Sequence, residues 1–262
     1  MPAFEAAAWV LLALVSALAP QSGVAADAVR ASLRQPMTFV DLTYPPEALA
    51  ARVQGFVVLE LVLDDRGHVT STQMLTGAPL LAAAAEANAR EWVFEPRAGR
   101  TAVVYRFDID AGVCNVDARS LFRLQSGTLA TITACTGPGR PLVTPWPADD
   151  LQVLDMPRVQ YPQIAQSARV RGTVVVRLSI AANGTVTAAT LIAGPPLMTD
   201  SALSNARAWK FAPTRQRETI IVYEFTFMNG LIPDPPCGTM TVNELVYPRF
   251  IRIGASAPCV QP

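Results

Sequence analysis

Four cysteines and a single histidine are the side chains of this sequence best equipped for chemistry. Cys114 and Cys135 have 20 residues between them, and Cys237 and Cys259 have 21. Zinc sites draw their ligands from closely spaced Cys and His pairs, and here the only imidazole on offer is His68. Each cysteine pair follows an equivalent strand, so the spacing reads as two local disulfides, Cys114–Cys135 and Cys237–Cys259. That suits an oxidising compartment. His68 stands beside Asp64 and Asp65 in "DDRGH". The cluster has the types of a metal site, yet Asp and Gly at such a position serve a turn first, by bonding the local backbone. The sequence has no G-x-S-x-G, phosphate-loop or H-E-x-x-H motif and no paired catalytic Cys and His. We therefore expect no catalytic residues, no metal, no cofactor and no enzyme.

The elements that carry these residues come in two copies. Tyr44-Pro45 and Tyr161-Pro162 lie 117 residues apart, as do Gly55 and Gly172, Gly67 and Gly184, Trp92 and Trp209, Phe94 and Phe211, and Pro96 and Pro213. A constant offset of domain size marks a duplicated folding unit rather than a solenoid array. In each copy a short helix opens at the Tyr-Pro pair and ends at the Gly. A β-branched strand follows ("FVVLELVL" in the first copy), then a tight turn and a second strand. In the second copy Asn183-Gly184 predicts a two-residue hairpin turn. A longer helix runs to Trp92 or Trp209, and a third strand follows ("TAVVYRFDI", "TIIVYEFTF"). The fold class is α+β: two tandem α-β-β-α-β units, each with a three-stranded antiparallel sheet and two helices, plus a disulfide-linked β extension. One sheet face is left for solvent or a neighbour.

Composition permits this and excludes other partners. With 262 residues and 51% of them apolar, the chain can fill two modest cores. Lys+Arg and Asp+Glu balance at 21 each and no basic tract occurs, so the electrostatic footprint for nucleic acid is missing. Residues 6–19 run apolar, break at Pro20 and reach small residues at Val24, Ala25 and Ala26, the order of a secretory signal and shorter than the ~20 apolar residues of a spanning helix. The expected organisation is a signal peptide over 1–26, or alternatively an N-terminal anchor, with domains over 27–147 and 148–262.

The order Tyr-Pro, Gly before a hairpin, a helix leading to Trp92-Val-Phe94-Glu-Pro96 or Trp209-Lys-Phe211-Ala-Pro213, and a strand bearing Tyr105 or Tyr223 resembles the carboxy-terminal domain of TonB, twice over. The resemblance implies a periplasmic, non-enzymatic module that pairs its sheet edge with a short extended peptide, the TonB box of an outer-membrane receptor. It makes Val103, Tyr105, Phe107, Val222, Tyr223 and Phe225 the candidate peptide-binding edge. The expected partner is a protein or extended peptide such as an outer-membrane receptor, with membrane contact only if the N-terminal segment is not cleaved.

Two features depart from TonB itself. The one histidine lies in a turn, away from the apolar segment where TonB carries its functional His. The stretch between the apolar segment and Tyr44 spans fewer than about 20 residues and holds a single Pro, Pro36, and at ~3.3 to 3.6 Å per residue it cannot cross a compartment hundreds of Å wide. The reading is therefore a periplasmic interaction module. The alternatives are an inner-membrane-anchored energy transducer and a structural envelope protein without peptide capture. Finally, "RSLFRLQSGTLATITAC" reads as a hairpin about Ser126-Gly127, and "TMTVNELVYPRFIRIG" offers strands at the corresponding place. Such tails are expected to cap the edges beside the third strands.

Overall fold

The computed structural model describes residues 34–110, 120–135, 151–215, 217–228 and 241–257. The N-terminal segment, Cys114, Cys237, Cys259 and the Cys135 side chain lie outside the described residues, and with them the expected disulfides. In chain order the first copy contributes β1 (Pro36–Thr38), α1 (Pro46–Ala50), β2 (Gly55–Leu63), β3 (Val69–Gly77), α2 (Pro79–Ala89), β4 (Val93–Phe94), β5 (Gly99–Asp110), β6 (Ser120–Leu124) and β7 (Leu129–Cys135). The second contributes β8 (Val153–Asp155), α3 (Gln163–Ser167), β9 (Gly172–Ile180), β10 (Val186–Ala193), α4 (Pro196–Arg207), β11 (Lys210–Phe211), β12 (Arg217–Phe227), β13 (Thr241–Tyr247) and β14 (Phe250–Ala255).

Each copy forms a five-stranded sheet, in the order β3-β2-β5-β7-β6 and β10-β9-β12-β14-β13. The expected sheet of three antiparallel strands is corrected to five, because the tail of each copy joins it as a hairpin whose second strand runs parallel to the third strand. Short pairs β1–β4 and β8–β11 tie the lead-in segment of each copy to the stretch after its long helix.

Local chemistry explains the boundaries, with two corrections. The first helix does not run on to the Gly. It stops at Ala50, and Arg52 takes the left-handed conformation at φ 55°, as Arg169 does at φ 52° in the second copy. The hairpin turns contain three residues instead of two: Gly67 N–H bonds Asp64 carbonyl, Gly184 N–H bonds Ala181 carbonyl, and only the glycine has positive φ. This is a type I turn closed by a left-handed residue. The position must be Gly for a second reason, since a Cβ on Gly67 or Gly184 would overlap the carbonyl of Phe94 or Phe211. The Phe-x-Pro segment is thus packed on the hairpin turn, and Phe94 and Phe211 N–H groups bond the Gly67 and Gly184 carbonyls at 2.9 Å.

The two sheets bury both faces. In β12, Ile221, Tyr223 and Phe225 pack into the second copy's core, whereas Ile220 and Val222 pack with Phe56, Val58 and Val104 of the first. Period-2 alternation of the strand sends one set to the helices and the other to the neighbouring sheet. Both copies fall within one compact unit. β10 lies against β5 and β3 against β12, so the contact is reciprocal.

Candidate protein-interaction edge

The candidate edge strands, β5 and β12, are built the same way. Tyr105 hydroxyl donates to Asn88 Oδ1 at 3.0 Å, which also accepts Trp92 Nε1–H at 2.9 Å, while Asn88 Nδ2 donates to Val40 carbonyl at 2.9 Å. Tyr223, Asn205, Trp209 and Pro157 repeat the arrangement at 2.9, 2.8 and 2.6 Å. One buried amide per copy therefore fastens the long helix, the Trp after it, the third strand and the lead-in segment. A buried polar group is tolerated when it is hydrogen-bonded, and here the indole N–H, the phenol and both ends of the amide each have a partner. Burial pushes the phenols of Tyr105 and Tyr223 up from their ordinary pKa. Tyr44 and Tyr161 hydroxyls add a further tie, each donating to a carbonyl nine residues on, Val53 and Val170, at 2.5 Å.

All six candidate edge residues are buried, and neither strand is an edge. β5 pairs with β2 on one side and with β7 on the other, from Val104 with Leu129 to Asp110 with Cys135. β12 pairs with β9 and with β14, from Val222 with Phe250 to Phe227 with Ala255. The implied peptide edge is corrected on this point: its N–H and C=O groups are taken by the chain's own hairpins. The side chains also divide unexpectedly. Tyr105, Phe107, Tyr223 and Phe225 enter the helix-side cores, whereas Val222 points at the other copy.

Apart from Val222, the residues that face the other copy were not singled out in the sequence. Arg106 and Glu224 follow Tyr105 and Tyr223 and so occupy the same position in β5 and β12, and they meet: Arg106 Nη1 is 2.7 Å from Glu224 Oε2, with both side chains only 7% exposed. Arg106 Nε reaches Asp108 at 2.9 Å, and Arg252 bridges Glu224 and Glu244 at 3.1 Å each. Burial works against the charge on Arg106, but Glu224 and Asp108 outweigh it and hold its pKa above the ordinary value. Tyr247 hydroxyl donates to Asp108 at 2.7 Å, and Phe250 packs edge-on to Phe56 at 5.3 Å between ring centroids. The available signal was a charge of opposite sign at the same place in "VVYRF" and "IVYEF", with apolar and aromatic residues on either side.

The Asp64, Asp65 and His68 group behaves as a turn. Asp64 Oδ1 accepts the N–H groups of Arg66 and His68 at 2.9 and 2.8 Å, and the His68 bond is the main cause that holds its carboxyl below the usual value. Trp92 and Trp209 are core residues, 0% and 1% exposed. Among the described residues no helix is long and apolar enough to cross a membrane.

The sequence profile of the family "Gram-negative bacterial TonB protein C-terminal" matches residues 40–110 and again 157–228, more than half of the chain. The chain belongs to the TonB C-terminal domain family. It carries that domain in tandem, and the family is one of non-enzymatic protein-interaction domains of the Gram-negative envelope. Both matched stretches end at the third strand of a TonB C-terminal domain, so the β6–β7 and β13–β14 hairpins lie beyond them. A comparison with curated proteins finds no match.

Proposed function

We propose that this tandem TonB C-terminal protein is an exported envelope module that binds protein partners without capturing extended peptides beside its third strands. The observation that carries the reading is the parallel pairing of β7 on β5 and of β14 on β12. Energetics make the closure lasting. To open β12, a peptide would have to expel Phe250, Ile251 and Ile253, each 0% exposed. At ~1.5 to 3 kcal/mol per buried apolar side chain this costs about 5 to 9 kcal/mol before any backbone hydrogen bond is lost. A micromolar peptide supplies about 8 kcal/mol in total. Binding through other surfaces, such as the helix-bearing faces or the outer strands, needs no such displacement.

The cysteine pairing belongs to the same reading. Asp110 and Cys135 are register partners, and Cys114 is four residues beyond Asp110; Phe227 and Ala255 are register partners, with Cys237 ten residues beyond the first and Cys259 four beyond the second. Cys114–Cys135 and Cys237–Cys259 would then pin each hairpin's parallel strand to the strand it covers. Non-reducing peptide mapping of protein recovered from the periplasm should return these two pairs, and a Cys114–Cys237 link would contradict them.

The test of the closed edge is amide hydrogen exchange with and without a TonB-box peptide. Residues 101–110 and 217–227 should exchange slowly in the free protein and remain unchanged on addition of peptide. Fast exchange that becomes protected by the peptide would mean that the hairpins open and the reading fails.

A further inference from the structure

The sheet-to-sheet contact has an approximate two-fold relation, since β10 meets β5 as β3 meets β12. On such an axis a position meets its own counterpart. Arg106 and Glu224 are that position, both immediately after the Tyr bonded to the buried Asn, and they form a 2.7 Å ion pair with nearly no solvent exposure. Two copies of the first domain joined by this face would put Arg106 against Arg106, and two copies of the second would put Glu224 against Glu224. Like charges buried at this distance have no water to screen them. We infer that the Arg106–Glu224 pair makes this sheet face heterotypic: the face of the first domain accepts only that of the second, so the two fold and act as one unit.

Within its own sheet each charge has a counterion, Asp108 beside Arg106 and Arg252 beside Glu224, so both stay ionised at the buried contact. The Arg106 guanidinium carbon also lies 5.7 Å from the centroid of the Phe250 ring, which belongs to the other domain. The charges run Asp108, Arg106, Glu224, Arg252, Glu244 in strict alternation from a partly exposed end through the buried centre to an exposed one. Apolar residues around them, Phe56, Val58, Val104, Ile220 and Val222, supply attraction without preference between partners. Discrimination therefore rests on the pair.

The experiment uses the full chain and reads cooperativity as well as stability. The wild-type protein should unfold in one transition, with calorimetric and van't Hoff enthalpies equal despite its two domains. Arg106→Glu, which places two carboxylates against each other beside Asp108, should split this into two transitions and lower the first midpoint by about 10 °C. Should that variant fail to fold, Glu224→Gln keeps shape and removes only the charge, and should lower the midpoint by a few degrees. The double variant Arg106→Met/Glu224→Met, which buries no unpaired charge, should regain a single transition and exceed either single Met variant in midpoint. Two transitions in the wild type, an unchanged profile for Arg106→Glu, or simple additivity of the two Met substitutions would each overturn the inference.

Discussion

The two domains of this protein share one frame and differ where they meet. The frame is the same to within tenths of an ångström: the Asn88 and Asn205 networks, the Tyr44 and Tyr161 ties, and the glycine turns pressed on Phe94 and Phe211. The differences are graded. Register puts Leu129 of β7 opposite Val104 and Phe250 of β14 opposite Val222, so the second domain presents an aromatic ring where the first has an aliphatic chain. It also puts Phe122 and Asn243 at the same outer-strand position. Phe122 packs 6.0 Å from Phe39 between centroids, whereas Asn243 clamps the backbone of Val159, accepting from its N–H at 2.8 Å and donating to its carbonyl at 3.0 Å. Duplication preserved the ties of each sheet to its own long helix, while the contact between the sheets and the grip of the outer strand on the lead-in segment diverged.

The largest test of this contrast is Phe250→Ala. It should cost about 3 to 5 kcal/mol, as large-to-small changes at buried aromatics do, and its exchange footprint should appear in β2 of the first domain, where Phe56 loses the nearer of its ring contacts with Phe250 and Tyr247. Leu129→Ala should cost less, and its footprint in the second domain should be weaker. Equal footprints read by denaturant melts and hydrogen exchange would erase the asymmetry.

Asn88→Ala and Asn205→Ala probe the shared frame. Each strands a buried indole N–H and a phenol, at ~2 to 3 kcal/mol together, and the two losses should agree within ~0.5 kcal/mol. A twofold disparity in chemical denaturation would show that the copies do not rely equally on their amide.

Alkaline pH adds a pooled measurement. All five tyrosines of the sequence, Tyr44, Tyr105, Tyr161, Tyr223 and Tyr247, are buried, and burial is the leading cause that raises the pKa of each. Four form matched pairs, and Tyr247 belongs to the second domain alone. A raised folded pKa contributes stability fully below the unfolded value near 10 and loses it above. Stability should thus be flat with respect to these groups up to about pH 10 and then fall by about 1.4 kcal/mol per pH unit for each phenol still protonated in the fold. Tyrosinate absorbance should rise only with unfolding; a phenol that ionises near pH 10 in the folded protein contradicts this.

The smallest expected effect separates the outer strands. Asn243→Ala should cost about 1 to 2 kcal/mol through its two backbone hydrogen bonds. Its effect should centre on Val159, whereas Phe122→Ala should loosen Phe39 at a similar cost. Exchange at Val159 unaffected by Asn243→Ala would rule out the clamp.

Much of this architecture is legible in the sequence because local rules write it. The repeated glycines, the Pro that opens the helices and the β-branched runs each act over a few residues, and the constant offset turns weak signals into a specific pattern. The tail hairpins were legible for the same reason. The charge lock was not, because Arg106 and Glu224 lie 118 residues apart in sequence and their meeting depends on how two finished sheets stack. The helix stop was missed since Arg52 adopts a conformation usually given to Gly, and the turn length because Asn-Gly fits more than one hairpin. The edge residues were recognised as a strand, yet whether a strand lies at the rim of a sheet is decided by what pairs with it later in the chain.

That late pairing has a consequence in time. Phe56 and Val58 are made early, but Tyr247 and Phe250, which pack on the same face, follow them only after more than 180 further residues. A chain that folds as it emerges from its N-terminus shows this apolar sheet face only partly covered, by Ile220 and Val222, until that later pair arrives. It should depend on holding factors until Tyr247 and Phe250 arrive, and a truncation just before Tyr247 should damage the first domain as well as the second.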